Sequence, residues 1–304
     1  MKTPPLASQK CSALVQFLAC VLIACSVLQA HAQSGSSISI LPLGDSLTWG
    51  YSLSGDTPGG YRDPLYSLLL GANINTTYLG VANGNPSTQL SNKGETASDG
   101  FNGYTISQID QNLSANNQPT NNSVSNMGGF WLTGGATTPS PNIILLMAGT
   151  NDIALSNSSL TAQQIATQVT SNLQTLINDV HAADPKALLL VASPPPIILS
   201  TNLWADTQQY NLDISNLIST DYQGQNIKYV DMYDNLDSLG YYVGEDGVHL
   251  NESGYTEMAQ VWDSAIMADY DFTAPDAAPE PSTWALLLGG ALALFAWRRL
   301  RRAK

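Results

Sequence analysis

Ile143 to Met147 is a run of five large apolar residues with no polar alternation. A strand carries such a run when both its faces are covered, as at the centre of a parallel sheet flanked by helices. The rest of the chain supplies the flanking pieces. Short apolar segments at Ile38–Leu43, Thr76–Val81, Ala187–Val191 and Ile227–Val230 read as further strands. Between and after them, Tyr61–Leu70, Thr105–Leu113, Ala162–Ala182, Leu203–Thr220 and Ser253–Tyr270 carry helical patterns. Strand and helix in alternation predict βα units and a five-stranded parallel sheet, a flavodoxin-like three-layer α/β/α sandwich. In such folds functional sites form at the carboxyl ends of the strands. Ser114 to Asn142 is rich in Asn, Ser, Thr, Gly and Pro and reads as a long surface loop carrying Phe130 and Trp131.

Both ends of the 304 residues read as processing signals. Lys2 and Lys10 precede an apolar run from Ala13 to Leu28, followed by the small-x-small pattern Ala30-His31-Ala32. This predicts a leader over 1–32 cut by signal peptidase, with a retained anchor as the alternative. Leu22-Ile23-Ala24-Cys25 resembles a lipobox, a third possibility for the same segment. At the other end, Pro279-Glu280-Pro281-Ser282-Thr283-Trp284 leads into an apolar stretch to Trp297 and then Arg298, Arg299, Arg301 and Arg302. The segment 279–304 resembles the PEP-CTERM sorting signal of exopolysaccharide-making Gram-negative bacteria. That resemblance implies a temporary inner-membrane anchor cut by an exosortase, with export to the envelope or matrix. The arginines suit the cytoplasmic side of a short transmembrane helix, and an ordinary tail anchor is the alternative. Between these ends, 33–270 is the expected folded domain and 271–278 a Pro- and Ala-rich linker.

The net charge of −13 understates the acidity of that domain, because seven of the eleven basic residues lie in the two ends. Only Arg62, Lys93, Lys186 and Lys228 remain in it. Such a surface repels nucleic acid and anionic lipid and suits uncharged substrates. All three cysteines lie in the leader, which leaves the domain without disulfides or thiol chemistry. No His, Cys or carboxylate cluster has metal-ligand spacing, and no Gly-rich phosphate loop follows a strand. Neither a metal nor another cofactor is expected.

The residues able to carry chemistry fall at strand ends. Gly44-Asp45-Ser46-Leu47-Thr48 follows the first strand, so Ser46 is a candidate nucleophile, or else a cap on a following helix. A serine hydroxyl needs a base, and an imidazole needs a carboxylate to fix its tautomer. Asp246-Gly247-Val248-His249 supplies both on one turn. The domain has one other histidine, His181, which reads as a solvated helix-end residue. Gly149-Thr150-Asn151-Asp152 follows the central strand: the Asn151 amide can donate to an oxyanion, while Asp152 reads as a cap. Gly103, ahead of a helix, offers a second donor through its backbone N–H, and Gly84 is its rival. The N–H of Ser46 would be a third.

The blocks Leu43-Gly44-Asp45-Ser46-Leu47, Gly149-Thr150-Asn151-Asp152 and Asp246-Gly247-Val248-His249-Leu250-Asn251 together resemble the SGNH (GDSL-type) hydrolases. Gly59-Gly60-Tyr61-Arg62 and Gly100-x-x-Gly103-Tyr104-Thr105-Ile106 are similar to the acetyl xylan esterase branch. Asp99 stands where that branch often has Glu, and Leu250 where the wider family often has Pro. The resemblance implies a serine esterase working through an acyl-enzyme. Its triad would be Ser46, His249 and Asp246, with Ser46, Gly103 and Asn151 as the oxyanion hole. It also implies an acetylated polysaccharide as substrate. A lipase or lysophospholipase is the first alternative, and a catalytically silent carbohydrate-binding matrix protein the second. No G-x-S-x-G elbow occurs, which argues against the α/β-hydrolase fold.

Overall fold

The structure, a computed structural model, describes residues 36–55, 57–82, 84–112, 140–236 and 242–272. The expected leader with Cys25, the loop residues Phe130 and Trp131, and the tail 279–304 lie outside the described residues. Among the described residues no helix is long and apolar enough to cross a membrane. The chain divides into two units, 1–270 and 271–304, and every element below belongs to the first.

The sheet is parallel, in the order β2 (Ile74–Tyr78), β1 (Ser36–Gly44), β4 (Ile143–Met147), β5 (Leu188–Ala192), β6 (Ile227–Val230). A two-residue strand, β3 (Asp99–Gly100), pairs with the end of β1 and brings the total to six rather than five. The ladder sets Leu41 beside Ile144 and Ile144 beside Leu189. All three side chains enter one core cluster, and their neighbours Ile40, Ile143 and Leu188 are buried outside that cluster. Both faces of the central strands are therefore covered, as the unbroken apolar runs require.

Helix α4 (Ile106–Asn112), α6 (Ala162–Ala183) and α7 (Thr201–Asp221) cover one face, while α2 (Arg62–Gly71) and α9 (Glu252–Asp269) pair on the other. Helix α6 opens with a capping box between Thr161 and Gln164 and buries Ile165, Val169, Leu173, Leu176 and Val180 along one stripe. Ser200 and Asn251 cap α7 and α9 through their side chains. Four short helices complete the set: α1 (Ser46–Trp49), α3 (Thr88–Lys93), α5 (Thr150–Ala154) and α8 (Met232–Asn235).

Two departures from the sequence reading have physical causes. β2 runs from Ile74 to Tyr78, not from Thr76 to Val81, because its inward residues are Ile74, Thr76 and Tyr78. Gly80, at φ +138, turns the chain away before Val81. On that side of β1, β3 then takes over the pairing at Leu43 and Gly44. The carboxyl end of β1 is thus flanked by β3 on one side and β4 on the other, and the loops leaving all three converge.

Candidate active site

Ser46 sits on the first residue of α1, directly beyond β1, and is 2% exposed. Three features fix it there. A Cβ at Gly44 would collide with the Met147 carbonyl and Thr48, so only glycine lets β1 and β4 approach at this point. The Asp45 carboxylate caps α1 by accepting the Leu47 N–H at 3.0 Å. Gly50, at φ +86, closes α1. Asp45 is wholly buried, and that burial pushes its carboxyl up to about 6 against the pull of the Leu47 N–H.

The turn from Asp246 to His249 is pinned at its base by a bridge between Val243 and Leu250. Gly247 supplies the left-handed residue, at φ +69. Within the turn, Asp246 Oδ1 accepts the N–H groups of Val248 at 3.0 Å and His249 at 2.9 Å. Oδ2 lies 2.7 Å from His249 Nδ1, and His249 Nε2 lies 2.8 Å from Ser46 Oγ. An ionised carboxylate only accepts, so Nδ1 carries the proton and Nε2 is left to accept from the serine hydroxyl. Burial disfavours the Asp246 anion, but the His249 N–H, the His249 ring and the Val248 N–H outweigh it, holding the carboxyl below its ordinary value. Ser46, 203 residues before His249 in the chain, joins His249 and Asp246 in one hydrogen-bonded row.

Asn151 lies in the first turn of α5, after Gly149 at φ +117. Its Nδ2 donates to the Tyr104 carbonyl at 2.8 Å, which leaves the second amide hydrogen for another acceptor. Gly103 occupies a turn closed by the Tyr104 N–H on the Phe101 carbonyl. Phe101 N–H in turn donates to Gly44 O at 2.9 Å. Gly103 is thereby tied between the strand that leads to Ser46 and the side chain of Asn151. Gly84 plays a different part, since its carbonyl accepts from Arg62 and Trp49 packs where a Cβ would stand. Asp152 caps not the helix that follows but α4, through the Ile106 N–H at 2.9 Å. His181 lies in the last turn of α6, at the opposite edge of the sheet, and is half-buried rather than solvated.

Three further residues support the site without belonging to the expected triad or oxyanion hole. The Tyr51 ring packs 4.4 Å from the His249 ring at 55°. Its backbone is held by the Tyr255 hydroxyl on the Tyr51 carbonyl. Tyr210 donates to Ala148 O at 3.0 Å and packs against Gly149, fixing the entry to Asn151. Arg62, fully buried, donates to the carbonyls of Trp49, Gly84 and Thr96 and binds the loops around α1. Among the described residues there is no group of three or more His, Cys, Asp or Glu arranged to hold a metal.

Residues 40–262 match the family described as GDSL-like Lipase/Acylhydrolase, and residues 277–302 match the PEP-CTERM protein-sorting motif. A "Multidomain esterase" of Ruminococcus flavefaciens is 27% identical over 244 residues, 76% of this chain. The chain spans only 28% of the length of that relative. Among solved structures, the Clostridium thermocellum family 3 carbohydrate esterase is 26% identical with a TM-score of 0.57, covering 76% of this chain and 96% of that one. A carbohydrate esterase family 3 structure from Talaromyces cellulolyticus shares the fold at TM-score 0.55 and 18% identity, covering 76% and 97%.

Proposed function

The chain belongs to the GDSL-like lipase/acylhydrolase family, and we propose that it is an exported serine esterase that removes acetyl groups from a polysaccharide. One observation carries the catalytic part: the unbroken row Asp246 Oδ2–His249 Nδ1 at 2.7 Å and His249 Nε2–Ser46 Oγ at 2.8 Å. In this reading Ser46 Oγ attacks the acyl carbonyl while His249 Nε2 takes its proton. Asp246 stabilises the imidazolium that results. The N–H groups of Ser46 and Gly103 and the second amide hydrogen of Asn151 hold the tetrahedral oxyanion. His249 returns its proton to the departing alcohol oxygen, then activates a water that releases the carboxylic acid and restores Ser46.

The acetyl and polysaccharide parts are supported by the carbohydrate esterase neighbours and the acidity of the domain. The tail motif supports export, with 1–32 as a leader for signal peptidase, 271–278 as a linker and 279–304 as a temporary anchor for an exosortase. One observation favours a lipase or lysophospholipase instead: Leu53, Leu155 and Leu199, on loops after β1, β4 and β5, are exposed at the edge that holds Ser46.

The deciding experiment compares kcat/KM for p-nitrophenyl acetate and octanoate, beside acetate release from acetylated xylan. The parent should prefer acetate, and Ser46→Ala should lose ~10⁴-fold or more of its activity. Preference for octanoate would hand the case to the lipase reading, and an active Ser46→Ala would remove the serine mechanism.

A further inference from the structure

A cavity of about 510 Å³, a size usual for small-molecule sites, opens between the segment that follows Asn151 and the start of α7. One wall starts at Ala154, three residues after Asn151, and continues through Ser156, Ser158 and Leu160. The other starts at Ser200 and continues along α7 through Asn202, Leu203 and Asp206. Leu199, just before Ser200, packs against Gly247 in the catalytic turn, and the Ile198 N–H donates to the Gly247 carbonyl at 2.8 Å. The cavity therefore begins where the oxyanion loop and the histidine turn end.

Asp206 is the telling residue, only 7% exposed. Three other carboxylates accept backbone N–H groups: Asp45 that of Leu47, Asp99 that of Val81 and the half-buried Asp152 that of Ile106. For Asp206 burial alone acts on the carboxyl and raises it, with no donor or cation among the described residues to offset the cost. Its carboxylate oxygens are not sealed in the interior but reach open space, so they face the cavity. A carboxylate only accepts, so a ligand group that meets it must donate. Ser156, Ser158 and Asn202 add groups that both donate and accept, while Leu160 and Leu203 give an apolar surface. No Lys or Arg lines the cavity, so an anionic head group would meet Asp206 with no compensation. An acyl chain would bury Asp206 without satisfying it. A ring with hydroxyls on its rim and C–H groups on its faces satisfies every wall.

We propose that this cavity is the subsite for a neutral glycosyl unit in the alcohol portion of the ester, with Asp206 accepting hydrogen bonds from sugar hydroxyls. The proposal rests on the ester-hydrolase reading for its place in the reaction, but binding can be measured apart from turnover. The full chain and its Asp206→Asn, Asp206→Ala and Asn202→Ala variants are assayed on p-nitrophenyl acetate and on an acetylated xylo-oligosaccharide. On p-nitrophenyl acetate, which lacks the glycosyl unit, all should stay within about twofold of the parent. On the oligosaccharide, Asp206→Ala should raise KM about tenfold or more with kcat little changed, and Asp206→Asn less, because its amide oxygen still accepts. Equal losses on both substrates, or none on the oligosaccharide, would overturn the proposal. If the Asp206 variants fail to fold by thermal melting, the exposed Asn202 and a Ser158→Leu variant that fills the cavity carry the same comparison. Calorimetry of Ser46→Ala with the unacetylated oligosaccharide completes the test. Binding lost in the Ser46→Ala/Asp206→Ala double variant supports the subsite even if no ester is turned over. Binding that survives the loss of Asp206, or a preference for lysophospholipid micelles, sinks it.

Discussion

Asp246→Asn is the most discriminating single change at the site. Oδ1 of Asp246 accepts two backbone N–H groups, from Val248 at 3.0 Å and His249 at 2.9 Å. In the variant only the amide oxygen can occupy that place, since an NH₂ would face two donors. The NH₂ is thereby forced into the Oδ2 position, 2.7 Å from His249 Nδ1. A donor there requires an unprotonated Nδ1, so the ring proton moves to Nε2. Nε2 then faces Ser46 Oγ, at 2.8 Å, as a donor and can no longer take the hydroxyl proton. The negative charge that would stabilise the imidazolium is lost as well. The matching substitution in other Ser-His-Asp hydrolases lowers kcat ~10⁴-fold. By transition-state arithmetic that is about 5.5 kcal/mol. The assay is initial rates on p-nitrophenyl acetate, with Asp246→Ala alongside. Alanine leaves room for water and places no fixed donor at Nδ1, so it should cost no more than asparagine does. The thermal midpoint of Asp246→Asn should stay close to the parent, because both turn hydrogen bonds survive. A kcat within tenfold of the parent would refute the tautomer argument.

Two further outcomes are expected. Asn151→Ala should lower kcat ~10²–10³-fold with little change in KM, as for other oxyanion donors, and a change in KM alone would make Asn151 a binding residue. The second concerns pH and stability. Burial raises the Asp99 carboxyl from 3.8 to about 6, against the N–H groups of Val81 and Ala82. Between those values the folded chain binds more protons at Asp99 than the unfolded chain, so its contribution to stability falls as pH rises from about 4 to 6. Asp246, held low, works in the opposite direction and loses its contribution as pH falls. Asp99→Asn keeps an oxygen for Val81 and removes the titration. Its thermal midpoint should gain on the parent as pH rises from 4 to 7, and a difference that does not vary with pH would count against a buried, raised carboxyl.

What the sequence made legible follows the range of the forces involved. The central strands could be read because burial on both faces leaves an apolar run, as at Ile143–Met147 and Leu188–Ala192. The long helices could be read because one stripe must be apolar, as in α6. The turn Asp246–His249 was legible because carboxylate and imidazole sit three residues apart and their geometry is local. α3 was missed because it buries only Leu90 and so has no period, although Ser87 and Gly94 mark its ends as caps. β3 was missed because two residues carry no alternation at all.

The remaining features were hidden because their partners are distant in the chain. Nothing near Asp152 in sequence says that it caps a helix 46 residues earlier. Nothing in Gly59-Gly60-Tyr61-Arg62 says that the guanidinium collects carbonyls from three separate segments. Asp206 looks in sequence like any polar residue in the first turns of an amphipathic helix. Only the folding of the Ala154–Leu160 segment against α7 makes it part of a cavity wall. Substrate selectivity belongs to this last class. The reacting atoms are set by short motifs at strand ends, which many relatives can share. The walls that select an alcohol come from connections between those motifs, where no pattern of period or spacing constrains the sequence. On the proposed reading the family motif carries the ester chemistry, while the choice between sugar and lipid turns on whether Asp206 finds a donor in the ligand.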